Sequence, residues 1–192
     1  MRIIAGAARG RRLAVPPRGV RPTTDRVRES LFSSLEALLG HWSDVVVLDL
    51  YAGAGSLGLE ALSRGARRVT MVERDRRTTD VLGRNVATVG LPGAVVLSLD
   101  VSQLASRPAP ESAGLLLADP PYDVPAGEVA RVLSSLEVAG WIDRDTLGVV
   151  ERPARDPQSP WPLDWVQLRR RDYGETALWY GRPLPDQGLS PR

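Results

Sequence analysis

Four apolar runs in this chain each end in an acid, and that repeat restricts the fold more than any other feature. Val45-Val46-Val47-Leu48 leads to Asp49, Val69-Thr70-Met71-Val72 to Glu73, Ala94 through Leu99 to Asp100, and Ala113 through Ala118 to Asp119. Such runs are too uniformly hydrophobic for half-exposed strands and belong in a sheet covered on both faces. Helical spacing fills the gaps between them, over Leu59–Arg64 and from about Arg74 to Val89, where Gly90 and Pro92 stop it. Beyond the fourth run, Val129, Val132, Leu133 and Leu136 fall on one face of a helix over 126–138, closed by Gly140. Strand and helix in alternation predict an α/β fold with a mostly parallel sheet. A fifth strand is expected over Thr146–Glu151. Val166–Arg171 and Thr176–Tyr180, joined through Tyr173-Gly174-Glu175, read as a closing antiparallel hairpin, for seven strands in all.

The head of the chain differs from this body in charge. Residues 1–28 hold eight arginines against one acid, Asp25, a net of +7 that leaves −5 for residues 29–192 of the total +2. All 25 basic residues are arginine, a side chain suited to bidentate phosphate contacts. A basic head on an acidic body points to a polyanion met at one end. Residues 2–5 and 11–15 form a small arginine-studded β-hairpin candidate, and Pro16-Pro17-Arg18-Gly19 a linker. Thr24 or Asp25 then caps a helix with Val27, Leu31, Leu35 and Leu38 inward, ended by Gly40. Three units are expected: a basic arm over 1–20, one α/β domain over 21–182 and a disordered polar tail over 183–192. Without cysteine there is no disulfide framework or thiolate chemistry, and with no signal-like or membrane-length apolar segment a cytoplasmic protein is expected.

Two stretches carry the chemistry. Tyr51-Ala52-Gly53-Ala54-Gly55-Ser56-Leu57-Gly58 links the first strand to the next helix, and its glycines let the backbone approach a ligand closely. It lacks the Lys-Ser/Thr of a phosphate-binding loop, and four carboxylates along one sheet edge would repel a phosphate. A ligand with hydroxyls, amines and positive charge fits instead. Glu73 stands 24 positions after Asp49, near the spacing at which an acid meets ribose hydroxyls. Asp119-Pro120-Pro121-Tyr122 then sets a carboxylate, a stiff backbone carbonyl and a flat ring at a strand's C-terminal edge, where open α/β sheets bind ligands.

Asp49-Leu50-Tyr51-Ala52-Gly53-Ala54-Gly55, with Asp119-Pro120-Pro121-Tyr122 about 65 residues on, resembles the motif pair of class I S-adenosylmethionine-dependent methyltransferases that modify an exocyclic amine. More narrowly, residues 2–181 resemble the bacterial 16S ribosomal RNA guanine-N2 methyltransferases of the RsmD family. The Arg2-Ile3-Ile4-Ala5-Gly6, Arg9–Leu13 and Arg21–Phe32 stretches carry that likeness. The resemblance implies a Rossmann-like methyltransferase fold and a set of roles. Asp49, Gly53 and Gly55 would hold the methionine part of S-adenosylmethionine, Glu73 its ribose and Asp100 its adenine amine, with Thr23 and Thr24 closing the pocket. Asp119, Pro120 and Tyr122 would hold and stack the target base, while Arg9, Arg11, Arg12 and Arg18 bind RNA. It further implies a monomer acting on 16S rRNA, in a partly or fully assembled small subunit, with no metal and no membrane. Two alternatives stand beside it: an adenine-N6 DNA methyltransferase using the same four-residue device, and a catalytically silent RNA-binding assembly factor. His41 and the tryptophans Trp161, Trp165 and Trp179 are expected to pack or face solvent, with no part in catalysis.

Overall fold

The computed structural model describes residues 1–16 and 25–185. Thr23, Thr24 and Arg18, the junction at residue 20 and the tail beyond 185 lie outside the described residues. In chain order the elements are α1 (Asp25–Leu39), β1 (Val46–Leu50), α2 (Ser56–Ser63), β2 (Arg68–Glu73), α3 (Arg76–Val89), β3 (Ala94–Ser98), α4 (Val101–Leu104), β4 (Ala113–Ala118), α5 (Ala126–Val138), β5 (Ile142–Pro153), β6 (Trp165–Tyr173) and β7 (Thr176–Pro183). Seven strands form one sheet in the order β3-β2-β1-β4-β5-β7-β6. The first five run parallel, and β7 inserts antiparallel between β5 and β6. The order reverses between β1 and β4, so a crevice opens above their C-terminal ends.

Period-two alternation sorts the strand side chains into two cores. Val47, Met71, Leu115 and Val149 face Leu31, Leu59 and Leu82 of α1, α2 and α3. Leu48, Val72, Leu116 and Val150 face the opposite way, toward Leu104, Leu133 and Leu136 of α4 and α5. Continuing that alternation by two residues carries Asp49, Glu73 and Glu151 onto the α1–α3 face. Asp119 follows Leu117 in the same way, and its N–H extends the ladder to the Leu50 carbonyl at 3.4 Å.

Several elements are longer or shorter than their sequence signals. β5 starts four residues before its expected Thr146, and Leu38, in the last turn of α1, is 39% exposed. At the sheet edge, β6 carries Arg169 and Arg170 over the rings of Tyr180 and Trp179, at 5.2 and 4.7 Å from the centroids. Charge on an outer strand discourages pairing with another chain. Trp161, Trp165 and Trp179 are buried, the first two stacked 4.9 Å apart, and His41 is exposed beside Asp44.

The N-terminal segment docks onto the core. Arg2 and Arg12 form a single antiparallel bridge where a hairpin was expected, and Ile3, Ala8 and Leu13 are buried. Both Glu60 oxygens accept from this segment, from Ile4 N–H at 2.7 Å and Ala5 N–H at 3.0 Å. Asn85 clamps its far end, accepting from Ala14 N–H at 2.8 Å and donating to the Ala14 carbonyl at 3.0 Å. At Gly6 (φ 81°) a Cβ would lie 1.8 Å from the Ser63 carbonyl oxygen, so the approach requires glycine. This docking brings Met1, Val15 and Pro16 to the rim of the crevice.

Candidate active site

The crevice is a cleft of about 830 Å³, within the range of small-molecule sites. Asp49, Gly53, Glu73, Asp100, Asp119, Pro120 and Tyr122 all line it. Residues spread over 74 positions of sequence therefore meet at one sheet edge, as the shared strand ends require. Gly55 lies one step behind, as the left-handed N-cap of α2 (φ 85°), where a Cβ would lie 2.4 Å from Leu82 Cδ1.

Asp49 is the most enclosed of the acids, at 1% exposure. Its Oδ2 accepts the Gly58 N–H at 2.8 Å, in the first turn of α2. A Cβ at Gly58 would lie 2.8 Å from both that oxygen and Met71 Cγ, so glycine makes the seat. Burial pushes the Asp49 carboxyl up to about 7; the Gly58 N–H opposes this and the Glu73 charge adds to it. Tyr51, next along, has φ 57°, a left-handed conformation worth about 1–2 kcal/mol of strain in a residue with a side chain. The turn is held by Ala52 N–H on the Val72 carbonyl at 2.9 Å. Burial first, then Glu128 and Asp100, push the Tyr51 phenol up to about 12, which keeps its proton on.

Glu73 braces two turns. Its Oε2 accepts the Gly53 N–H at 3.0 Å and its Oε1 the Asp75 N–H at 2.7 Å. These two contacts use about half of its lone-pair sites. Asp100 is an N-cap as well as a wall of the cleft, accepting from the Ser102 hydroxyl at 2.7 Å and N–H at 3.0 Å. Those bonds, with Arg74 at 3.4 Å, hold its carboxyl below the usual aspartate range. On the other side of the switch point, Pro120 is buried and Tyr122 is 43% exposed. The Val124 N–H closes the turn on the Pro121 carbonyl at 3.0 Å.

Among the other residues lining the cleft, Tyr51, Arg74 and Glu151 carry polar groups that sequence reasoning did not single out. Glu151 closes its apolar run just as the four recognised acids do, and that signal was available. The arginines of the head divide. Arg9, Arg11 and Arg12 are all exposed, but Arg11 donates to the Thr88 and Val89 carbonyls at 2.7 and 2.5 Å, completing the C-terminus of α3. Arg28 is fully buried, donating to Asp25 at 2.9 Å and to the Arg2 carbonyl at 2.6 Å, and desolvation lowers its pKa. Among the described residues no group of three or more His, Cys, Asp or Glu can hold a metal ion, and no helix is long and apolar enough to cross a membrane.

A switch-point cleft ringed by strand-end acids, on a sheet of this order with an antiparallel β7, defines a class I methyltransferase. Residues 1–182 match the family model described as conserved hypothetical protein 95. Over 179 residues the chain is 39% identical to ribosomal RNA small subunit methyltransferase D of Escherichia coli, covering 92% of this chain and 87% of that one. The Haemophilus influenzae protein of the same name is 35% identical over 178 residues, covering 91% and 89%. A solved E. coli methyltransferase structure superposes with a TM-score of 0.82 at 34% identity, covering 96% of this chain and 98% of that one. The chain belongs to the ribosomal RNA small subunit methyltransferase D family.

Proposed function

We propose that this protein transfers a methyl group from S-adenosylmethionine to the exocyclic N2 amine of a guanine in small-subunit ribosomal RNA. The observation that carries the reading is that Asp119 and Pro120, an acceptor pair for an amine, line the same cleft as Asp49 and Glu73. The likeness to rRNA methyltransferases supports RNA over DNA, and the retained acids support an enzyme over a silent binding protein. S-adenosylmethionine, when bound, supplies an electrophilic methyl group on a cationic sulfur.

Asp49 and the Gly53–Gly55 turn would bind the methionine part, Glu73 the ribose and Asp100 the adenine amine, with Thr23 and Thr24 assigned to the rim. The acids answer a cation and a diol with acceptors. A guanine N2 is a poor nucleophile because its lone pair is delocalised into the ring. The Asp119 carboxylate and Pro120 carbonyl would accept its two N–H groups, favour a pyramidal nitrogen and aim it at the methyl group. Positioning and fixed dipoles supply the acceleration. The methylated nitrogen then releases a proton to Asp119 or water. Tyr122, exposed at the mouth, would stack on a base drawn out of its helix. Arg9, Arg12 and Arg18 are assigned to RNA phosphates, in free RNA or an assembling subunit, whereas Arg11 is engaged by the carboxyl end of α3.

Labelled S-adenosylmethionine, offered with small-subunit RNA, small subunits, DNA or protein, tests the reading directly. Label in N2-methylguanosine from RNA or subunits is expected. Label in N6-methyladenine of DNA, or in no substrate, would reject it.

A further inference from the structure

We propose that Glu151 reads the Watson–Crick edge of the target base, accepting its N1–H beside the amine held by Asp119, and so selects guanine over adenine. The inference rests on methyl transfer to a guanine N2 and identifies what chooses that base. The Asp119–Pro120 pair can grip the amine of either purine. What differs is the neighbouring ring atom. Guanine presents N1–H next to its amine, and adenine presents an N1 lone pair.

A donor closed into the cleft without an acceptor loses a hydrogen bond it had in water, so a guanine-specific site needs an acceptor beside the amine-binding pair. Glu151 stands there. Ala118 pairs with Val150 in the β4–β5 register, so Asp119 and Glu151 follow on adjacent parallel strands, about 4.8 Å apart. Both line the cleft and lie on the α1–α3 face of the sheet. β5 flanks β4 on the side away from β1, so Glu151 lies beyond Asp119 as seen from the cofactor half. Asp49 and Glu73 are engaged on that other half by the Gly58, Gly53 and Asp75 N–H groups. Glu151 is only 6% exposed, and the Thr176 hydroxyl at 3.3 Å from its Oε1 steadies it. A carboxylate has about four acceptor sites, so it can accept from a base alongside its protein partners. Facing adenine, the same carboxylate meets a lone pair, a repulsion that rejects the wrong base actively.

The test replaces the guanine that the wild-type protein methylates, mapped by mass spectrometry, with 2-aminopurine. That base keeps the amine but carries a lone pair at N1. Wild-type kcat/KM should favour guanine by about 10⁴-fold, the scale on which sites built around a donor reject analogues lacking it. Glu151→Gln retains an acceptor for Thr176 and offers an amide N–H to the 2-aminopurine N1. Its guanine to 2-aminopurine ratio should fall at least about tenfold, the weight of one such hydrogen bond. Loss of O6 is common to both enzymes and cancels in that comparison. A ratio unchanged in Glu151→Gln overturns the role of Glu151 alone, because a merely structural glutamate would lower both rates together. If the variant does not fold, wild-type protein decides by itself, since equal use of the two bases overturns the proposal. Absence of N2-methylguanosine from wild-type digests would overturn the proposed function and this inference with it.

Discussion

On the β1–β3 side of the cleft, the acids are tied to backbone N–H groups of the turns and helix starts that follow their strands: Asp49 to Gly58, Glu73 to Gly53 and Asp75, Asp100 to Ser102. On the β4–β5 side, position comes from the main chain itself, through the ladder bond from Asp119 N–H to Leu50 and two consecutive prolines. The first arrangement makes each acid part of the scaffold it decorates. The second fixes residue 119 through a backbone bond that an alanine would keep. Substitutions on the two sides should therefore fail in different ways.

The largest effect is expected for Asp119→Ala. Removing the group proposed to act on the reacting nitrogen should lower kcat by about 10³-fold. Because the backbone places residue 119, calorimetric affinity for S-adenosylmethionine and the thermal midpoint should stay near wild type. Loss of cofactor binding as well would erase the distinction between the two sides. Glu73→Ala should fail on both counts. Cofactor affinity should fall by about 10- to 100-fold, and chemical denaturation should show a loss of about 1–2 kcal/mol, because two backbone N–H groups lose their acceptor. An affinity loss with unchanged stability would show that the braced turns hold without the glutamate.

The same difference governs what could be read in the sequence. Asp49, Glu73, Asp100 and Asp119 were legible because each ends an apolar run at or near the end of a strand, and strand order then gathers them. Glu151 ends its apolar run too, but β5 continues through Pro153, so the acid does not mark the end of the strand. The docking of the head was hidden for another reason: Glu60, Ser63 and Asn85 reach it across 55 to 71 positions, and local periodicity carries no trace of such contacts. Arg28 lay within reach of sequence reasoning. It falls in helical step with the buried Phe32 and Leu35, a spacing that charge count alone conceals. The four-residue α4 is too short to impose a period.

Asp49 sharpens the comparison through pH. Its carboxyl, buried against the Gly58 N–H, is raised to about 7 in the folded protein from an ordinary value of 3.8. A raised acid favours the protonated folded form, so its contribution to stability is complete below about pH 4 and is lost as pH climbs through about 7. Wild-type unfolding free energy should therefore fall across that window relative to Asp49→Asn, by at most about 1.4 kcal/mol per pH unit. The proposed cationic ligand acts in the opposite sense, since it favours the ionised carboxylate. S-adenosylmethionine affinity should weaken by up to about tenfold per unit as pH drops below about 7, and the Asn variant should be weaker and flat. Parallel profiles for the two proteins would remove Asp49 from the cofactor assignment.

The smallest effect concerns the head, where the contrast between scaffold and presented group recurs among arginines. Arg11 completes α3 through the Thr88 and Val89 carbonyls, a contact that Arg9 and Arg12, exposed like it, do not make. Paired substitution of Arg9 and Arg12 by alanine should weaken RNA binding by about fivefold at physiological salt. The slope of log K against log salt should become shallower by about 1.5, because two phosphate contacts release correspondingly fewer counterions. Stability should not change. Arg11→Ala should instead lower stability by about 0.5–1 kcal/mol through the frayed helix end. If Arg11→Ala shifts the salt slope as much as either exposed arginine, then Arg11 serves RNA and helix at once, and the division between the two classes fails at that residue.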